Sequence, residues 1–318
     1  MAEQEQAGIA AAVDVSVVIP AYNEAESLPE LLDRVHEVLQ GARRSYEVWV
    51  VDDGSRDGTF AAVSEVARRR PEVHAVSFSR NFGKAAALAA GFARVRGRYV
   101  VTMDADLQDD PAEIPRLLGA LEAGRDLVSG WKRDRQDGFV KNQSSKVFNA
   151  VTSLMTGLRL HDFNCGLKAY RAEVVQAVRL YGEMHRFIPA MAHLEGFRVG
   201  ELPVRHHRRR HGRTKYGLDR FLNGFLDLIT LLFLRSRASS PLHFFGRVGL
   251  LMFMAGLLIN GYFLGEWILG HGLRVRPLLL LGVVLFILAI QFVSLGLIAE
   301  LIVSRMHPER EYRVRAEI

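Results

Sequence analysis

The sequence has one cysteine, Cys165, so no disulfide can form within the chain, which suits a reducing compartment. Residues 1–13 are acidic and Ala-rich and lack the basic start and apolar core of a secretory signal, so the domain that follows is expected to stay in the cytosol. There is no internal repeat and no low-complexity tract. The basic residues come without a nucleic-acid-binding motif, which argues against a nucleic-acid partner. The histidines of residues 205–211 lack the cysteine or carboxylate partners of a zinc site.

Against these absences stand two concentrations. The net charge is +6, and much of the basic excess lies in residues 205–215, as if facing phosphates or anionic headgroups. Apolar residues make up 49% of the chain, and residues 241–303 are almost continuously apolar. A length of 318 residues allows one α/β domain of about 200 residues with an appendage.

The apolar β-branched run at residues 15–19, ended by Pro20, reads as a buried strand. A helix follows, with Ser27 and Glu30 as a capping box and Leu28, Leu31, Leu32, Val35, Val38 and Leu39 at helical spacing. Strands are expected at 46–51, 73–77, 99–103 and 126–130, and helices at 59–70 and 84–95. This alternation predicts a doubly wound, mostly parallel α/β sheet. Ligands then bind beyond the carboxyl ends of the strands, at residues 21–24, 52–55 and 104–108, each of which carries acidic residues.

Farther on, residues 218–234 are amphipathic and fit a helix in a membrane interface or one packed on the domain. Spans at 248–269 and 278–303 are each long enough to cross about 30 Å of hydrocarbon, forming a hairpin. Arg235, Arg237, Arg247, Arg305, Arg310, Arg313 and Arg315 flank its open end, against Arg274 and Arg276 in the turn, which places both chain ends in the cytoplasm.

The main chemical signal is Asp104-Ala105-Asp106. Two carboxylates just past a buried strand can share a hard divalent cation that also binds phosphate oxygens. At Asp52-Asp53-Gly54-Ser55 a carboxylate can accept from a nucleobase N–H, or cap a helix and turn, or do both. Lys84 opens a helix after Gly83, either beside a bound anion or as a solvated lysine.

Together, Val17-Val-Ile-Pro-Ala-Tyr-Asn-Glu24, Val51-Asp-Asp-Gly-Ser55, Arg80-Asn-Phe-Gly-Lys84 and Asp104-Ala-Asp-Leu-Gln-Asp-Asp-Pro111 resemble family 2 glycosyltransferases of the GT-A fold. His211-Gly-Arg-Thr-Lys-Tyr-Gly217, the amphipathic stretch and the hairpin resemble the polyprenyl-phosphate (dolichol-phosphate) hexose synthases. The likeness spans residues 14–305. It implies a tail at 1–13, a catalytic domain at 14–217, an interfacial helix and linker at 218–239, a transmembrane hairpin at 240–305 and a cytoplasmic tail at 306–318.

By position, the resemblance implies that Pro20, Tyr22, Glu24, Asp52 and Asp53 line the nucleoside pocket. Asp104, Asp106 and Gln108, with Ala105 between them, hold Mg²⁺ or Mn²⁺ and the diphosphate. Arg133 and Ser144 or Ser145 face the acceptor phosphate, and Arg213 and Lys215 gather around the phosphates. A lipid phosphate is already largely an oxyanion at neutral pH, so a single inverting displacement needs no strict proton acceptor. One departure stands out: in Asp162-Phe-Asn-Cys165, many bacterial relatives carry a second acid where this chain has Cys165, so no acid–base role is assigned there, and Asp162 either positions the sugar or a loop or is purely structural.

The expected activity is transfer of one hexose from a UDP-glucose-like donor or GDP-mannose to polyprenyl phosphate, at the cytoplasmic face of the plasma membrane. Self-association is left open. A processive polysaccharide synthase is the enzymatic rival, but its Gln-x-x-Arg-Trp motif and extra spans are absent. A catalytically silent membrane scaffold is the rival from another class, and the intact Asp104-Ala-Asp106 argues against it.

Overall fold

The computed structural model describes residues 13–133, 149, 151–154, 156–178, 180, 184–207, 241–270 and 276–306. The expected interfacial segment 218–234, and Ser144, Ser145, Arg213 and Lys215, lie outside the described residues. The chain divides into two compact units, Met1–Leu231 and Leu232–Ile318.

The first unit is built on a seven-stranded sheet. Its elements are β1 (Val15–Ala21), α1 (Leu28–Gly41), β2 (Tyr46–Asp52), α2 (Thr59–Arg69), β3 (Val73–Ser77), α3 (Lys84–Phe92), β4 (Tyr99–Thr102), α4 (Ile114–Glu122), β5 (Leu127–Trp131), β6 (Lys168–Arg171), α5 (Ala172–Ala177), α6 (Ile188–Leu194) and β7 (Val199–Pro203). The strand order is β3-β2-β1-β4-β6-β5-β7. All ladders are parallel except those of β6, which runs antiparallel to both β4 and β5. All seven residues of β1 are buried, as a central strand covered on both faces requires.

Alternation along β1 divides two cores. Val15, Val17 and Ile19 pack with Leu28, Leu31, Leu32 and Val35 of α1 and Ile114, Leu117 and Leu118 of α4. Val18 faces the other way, joining Leu88 of α3, Tyr170 of β6 and Ile188 of α6. The edge opposite the site is closed by Glu47, 1% exposed, which accepts from the Ser16 hydroxyl at 2.7 Å and the Arg96 backbone N–H at 2.7 Å. Burial alone would raise this carboxyl. The Ser16 hydroxyl and the backbone and guanidinium donors of Arg96 more than offset that and hold it below the usual glutamate value.

Several expectations need correcting. Strand β1 continues through Pro20 to Ala21. Its pairing with β4 stops at Val18, so the missing Pro20 N–H costs no ladder bond on that side. Ser27 and Glu30 form no capping box: the Ser27 hydroxyl donates to Glu24, and Glu30 pairs with Arg34. Helix α3 ends at Phe92, short of residue 95, because residues 93–97 turn back toward β4.

In the second unit α7 (Pro241–Ile268) packs along α8 (Pro277–Met306). A Cβ on Gly256 would lie 2.9 Å from the Gly282 carbonyl oxygen, so the backbones approach closely there. The Asn260 amide donates to the Gly256 carbonyl at 2.9 Å, and Glu300 accepts the Leu242 N–H at 3.2 Å. Both helices are long and apolar enough to cross a membrane, and Leu251, Leu258 and Ile290 point outward, exposed.

Candidate active site

The ends of β1, β2 and β4 converge on one edge of the sheet. Past β1, Asn23 adopts a left-handed conformation (φ 56°) that asparagine tolerates. Its N–H donates to the Ser55 hydroxyl at 2.9 Å, and Glu24 N–H donates to Thr59 Oγ1 at 2.9 Å. The Tyr22–Glu24 turn is thus tied to the loop after β2. Asp52 accepts from Ser55 N–H at 3.0 Å and from the Ser77 hydroxyl at 2.7 Å. Asp53 accepts from the backbone of Phe82 at 2.7 Å and Gly83 at 2.9 Å. Burial, opposed by those N–H bonds, leaves the Asp53 carboxyl above its ordinary value, with the Asp52 charge adding to the rise. Both acids are over nine-tenths buried, and their described contacts organise the surrounding loops. Gly54 (φ 70°) is required, since a Cβ there would lie 2.4 Å from the Arg80 backbone.

The loop after β4 carries the acidic pair. Asp106 accepts the Gln108 N–H at 3.2 Å, and between them buried Leu107 is held at φ 58°, a strained conformation for a leucine. Such strain survives only where neighbouring contacts over-determine the loop. Asp104 is gripped from two sides. Lys84, at the start of α3, forms an ion pair with it, and the backbone of Gly166 lies so close that a Cβ would sit 2.5 Å from the Asp104 carboxyl carbon. Lys84 is therefore a partner of Asp104 rather than a solvated cap.

A buried cluster of charges lies beneath. Asp109 is buried, 3.3 Å from Lys132 Nζ and 3.8 Å from His206 Nδ1, and it accepts Asp104 N–H at 3.4 Å. Burial opposes its charge, but Lys132 and His206 outweigh that and hold the carboxyl well below the usual range. Residues 205–207 pair with this loop. His207 N–H donates to the Gln108 carbonyl at 2.8 Å, His207 Nε2 lies 3.1 Å from Asp110, and Arg205 lies 3.9 Å from Glu113. The Gln108 amide nitrogen faces His206 and the His207 carbonyl, both at 3.4 Å.

Arg133 lies exposed just past β5, while its neighbour Lys132 turns into the cluster. Lys168 also reaches this edge, because antiparallel β6 begins where β4 and β5 end, pairing with Thr102 and Ser129. Burial holds the Lys168 ammonium below its usual value. Cys165 is fully buried, and burial pushes its thiol up to about 12, so it is neither acid nor nucleophile. Asp162, 2% exposed, accepts Asn164 N–H at 3.0 Å.

Sequence reasoning missed Asp109, Lys132, Lys168 and His206 as site residues. Lys132 continues the alternation Val128, Gly130, Lys132, and that parity was the available signal. The position of Lys168 depends on the direction of β6, which no local pattern reveals.

The donor set suits a hard cation. Mg²⁺ and ions like it are held by one or two carboxylates, with substrate phosphates and water completing the shell. Asp104 and Asp106 supply that pair on one loop. No group of three His, Cys, Asp or Glu side chains among the described residues forms an all-protein cage.

The sheet carries paired acids at its central strand end, backed by lysines, and the chain is a glycosyltransferase. It belongs to glycosyl transferase family 2, whose model matches residues 16–179. It is 40% identical over 296 residues to the dodecaprenyl-phosphate galacturonate synthase of Rhizobium johnstonii, covering 91% of this chain and 88% of the relative. It is 40% identical over 291 residues to the undecaprenyl-phosphate 4-deoxy-4-formamido-L-arabinose transferase of Edwardsiella ictaluri, with the same coverages. The fold resembles mannosyl-3-phosphoglycerate synthase from Rubrobacter xylanophilus (TM-score 0.54, 19% identity, 71% of this chain and 74% of that one). It also resembles glucosyl-3-phosphoglycerate synthase from Mycobacterium tuberculosis in complex with Mn²⁺ and UDP-glucose (TM-score 0.51, 23% identity, 70% and 79%).

Proposed function

We propose that this protein transfers a single hexose-type sugar from a nucleotide diphosphate donor to polyprenyl phosphate at the cytoplasmic face of the plasma membrane. The observation that carries the reading is similarity along 91% of the chain to relatives named for sugar transfer to polyprenyl phosphates. The apolar helix pair supports a membrane location, and the arginine excess at its open end supports cytoplasmic termini. On this reading residues 14–217 form the catalytic domain, 218–239 the interfacial helix and linker, and 240–305 the membrane hairpin.

Asp104 and Asp106 would hold Mg²⁺ or Mn²⁺, with Gln108 beside them on the same loop. Such an ion would supply positive charge to offset that of a nucleotide diphosphate leaving group. Lys84 and Gly166 fix the Asp104 carboxyl toward that position. Pro20, Tyr22 and Glu24 line the nucleoside pocket, and Asp52 and Asp53 set its loops. Arg133, with Arg213 and Lys215, binds the acceptor phosphate and offsets its repulsion from the donor. The acceptor is already an oxyanion, so one inverting displacement proceeds without a general base. The protonated Cys165 thiol and the buried Asp162 agree with that.

The test is incubation of the purified full chain and Mn²⁺ with labelled nucleotide-sugars and a short polyprenyl phosphate, followed by mass spectrometry of the lipid fraction. A polyprenyl phosphate bearing one sugar is expected. A polymer would assign a processive synthase, and donor binding without turnover would assign a silent scaffold.

A further inference from the structure

The loop of Asp104 and Asp106 carries a third acid, Asp109, that the proposed transfer does not use. Its side chain is wholly buried, 3.3 Å from Lys132 Nζ, and the Lys132 side chain is 12% exposed. Charges this deep are tolerated only when paired. His206 Nδ1 lies farther off, at 3.8 Å, and carries charge only when protonated, so Lys132 is the standing counter-ion of Asp109. Asp109 also lies directly behind Asp104, accepting its N–H at 3.4 Å.

Lys132 answers to more than one acid. Burial opposes its charge, but Asp109, together with Asp104 and Asp162, outweighs that and holds the ammonium above its usual value. Of the two other acids, Asp104 acts on Lys132 more strongly than Asp162. Asp104 is therefore the carboxylate to which Lys132 turns if Asp109 loses its charge. Lys84 already pairs with Asp104 at Oδ1, which leaves Oδ2 as the oxygen for an ion. A second ammonium drawn to Oδ2 would take the place of that ion.

We propose that Asp109 is a positioning residue that holds Lys132 away from Asp104 and so keeps one oxygen of the Asp104 carboxylate available to a divalent ion. The inference rests on the transferase reading above, in which Asp104 and Asp106 hold that ion. It gives Asp109 no contact with the substrates.

The test removes the two charges in turn from the full chain. Asp109→Asn keeps the shape and an acceptor for the Asp104 N–H but loses the charge. Asp109→Asn/Lys132→Met also removes the released ammonium. Mn²⁺ binding to the metal-stripped protein is counted from the electron paramagnetic resonance of the unbound ion, with UDP or GDP present. Lipid product is measured in the same samples with the labelled nucleotide-sugars. Asp109→Asn should weaken Mn²⁺ binding by about tenfold or more, the scale of losing a group that orients a metal ligand, with kcat at saturating Mn²⁺ nearly unchanged. The double variant should bind Mn²⁺ nearly as wild type does.

Unchanged Mn²⁺ affinity in Asp109→Asn overturns the proposal, and a fall in kcat alone would make Asp109 merely structural. A double variant that binds Mn²⁺ no better than Asp109→Asn also overturns it, because Lys132 is then not the competitor. Either result leaves sugar transfer to polyprenyl phosphate intact. If wild type binds no Mn²⁺, the metal assignment falls and this inference with it, while the lipid product still decides transfer. Should Asp109→Asn fail to fold, the double variant decides: near-wild-type Mn²⁺ affinity supports the proposal and weakened affinity overturns it.

Discussion

Asp104 and Asp106 are two residues apart, yet they meet different surroundings. Asp104 is fixed by an ion pair and a glycine face, while Asp106 is 8% exposed and organises the loop through the Gln108 N–H. Asp106→Ala should lower turnover by about a hundred- to a thousandfold, the scale of losing one preorganised electrostatic contact. Its circular dichroism and membrane extraction should match wild type, and retained transfer would remove Asp106 from the metal site. Gly166→Ala places a methyl against the Asp104 carboxyl, so that carboxyl must move from its present position. A rise in the Mn²⁺ concentration needed for half-maximal activity is expected, and an unchanged titration would show Asp104 to be indifferent to its clamp. With its thiol raised to about 12, Cys165 should resist maleimide at about pH 8 in the native protein and react after denaturation. At this scale the acidic pair was legible because one residue separates its two carboxylates in the sequence. Lys168 was not, because its partners come from β4 and the loop before β6.

At the scale of elements, strands β1 to β5 and helices α1 to α3 were visible as hydrophobic periodicity, with errors at their ends. The errors have physical causes: Pro20 sits where no β4 partner needs its N–H, and Ser27 found Glu24 instead of a cap. Glu47 illustrates how such ends are stapled. Its carboxyl is held below the ordinary glutamate value in the folded chain, so its contribution is present above the unfolded pKa and lost as pH falls through the folded one. Glu47→Gln should reduce stability at neutral pH by roughly 1–3 kcal/mol, from weakened buried hydrogen bonds. The difference from wild type should shrink in acid, and a pH-independent difference in thermal unfolding would contradict the assignment. In the helix pair, Gly256→Val forces a branched side chain against the Gly282 carbonyl. Earlier thermal aggregation of the detergent-solubilised protein is expected, and an unchanged midpoint would mean that the two backbones separate at little cost.

The whole molecule joins a doubly wound transferase unit to a pair of helices fit for a bilayer. If Asp104 and Asp106 hold a divalent ion, chelation with EDTA should abolish transfer and added Mn²⁺ or Mg²⁺ should restore it, whereas full activity in EDTA would exclude the metal role. The sequence alone determined the fold class, the edge of the sheet that carries chemistry, the acidic pair and the apolar spans. Each of these is written in neighbouring residues, through side-chain period, strand-end position or run length. Only the tertiary structure decided that Lys84 serves Asp104, that Lys132 and His206 converge on Asp109, and that Lys168 arrives from a reversed strand. Electrostatic partnership depends on distance through space, and these partners lie 20 to 97 residues apart along the chain.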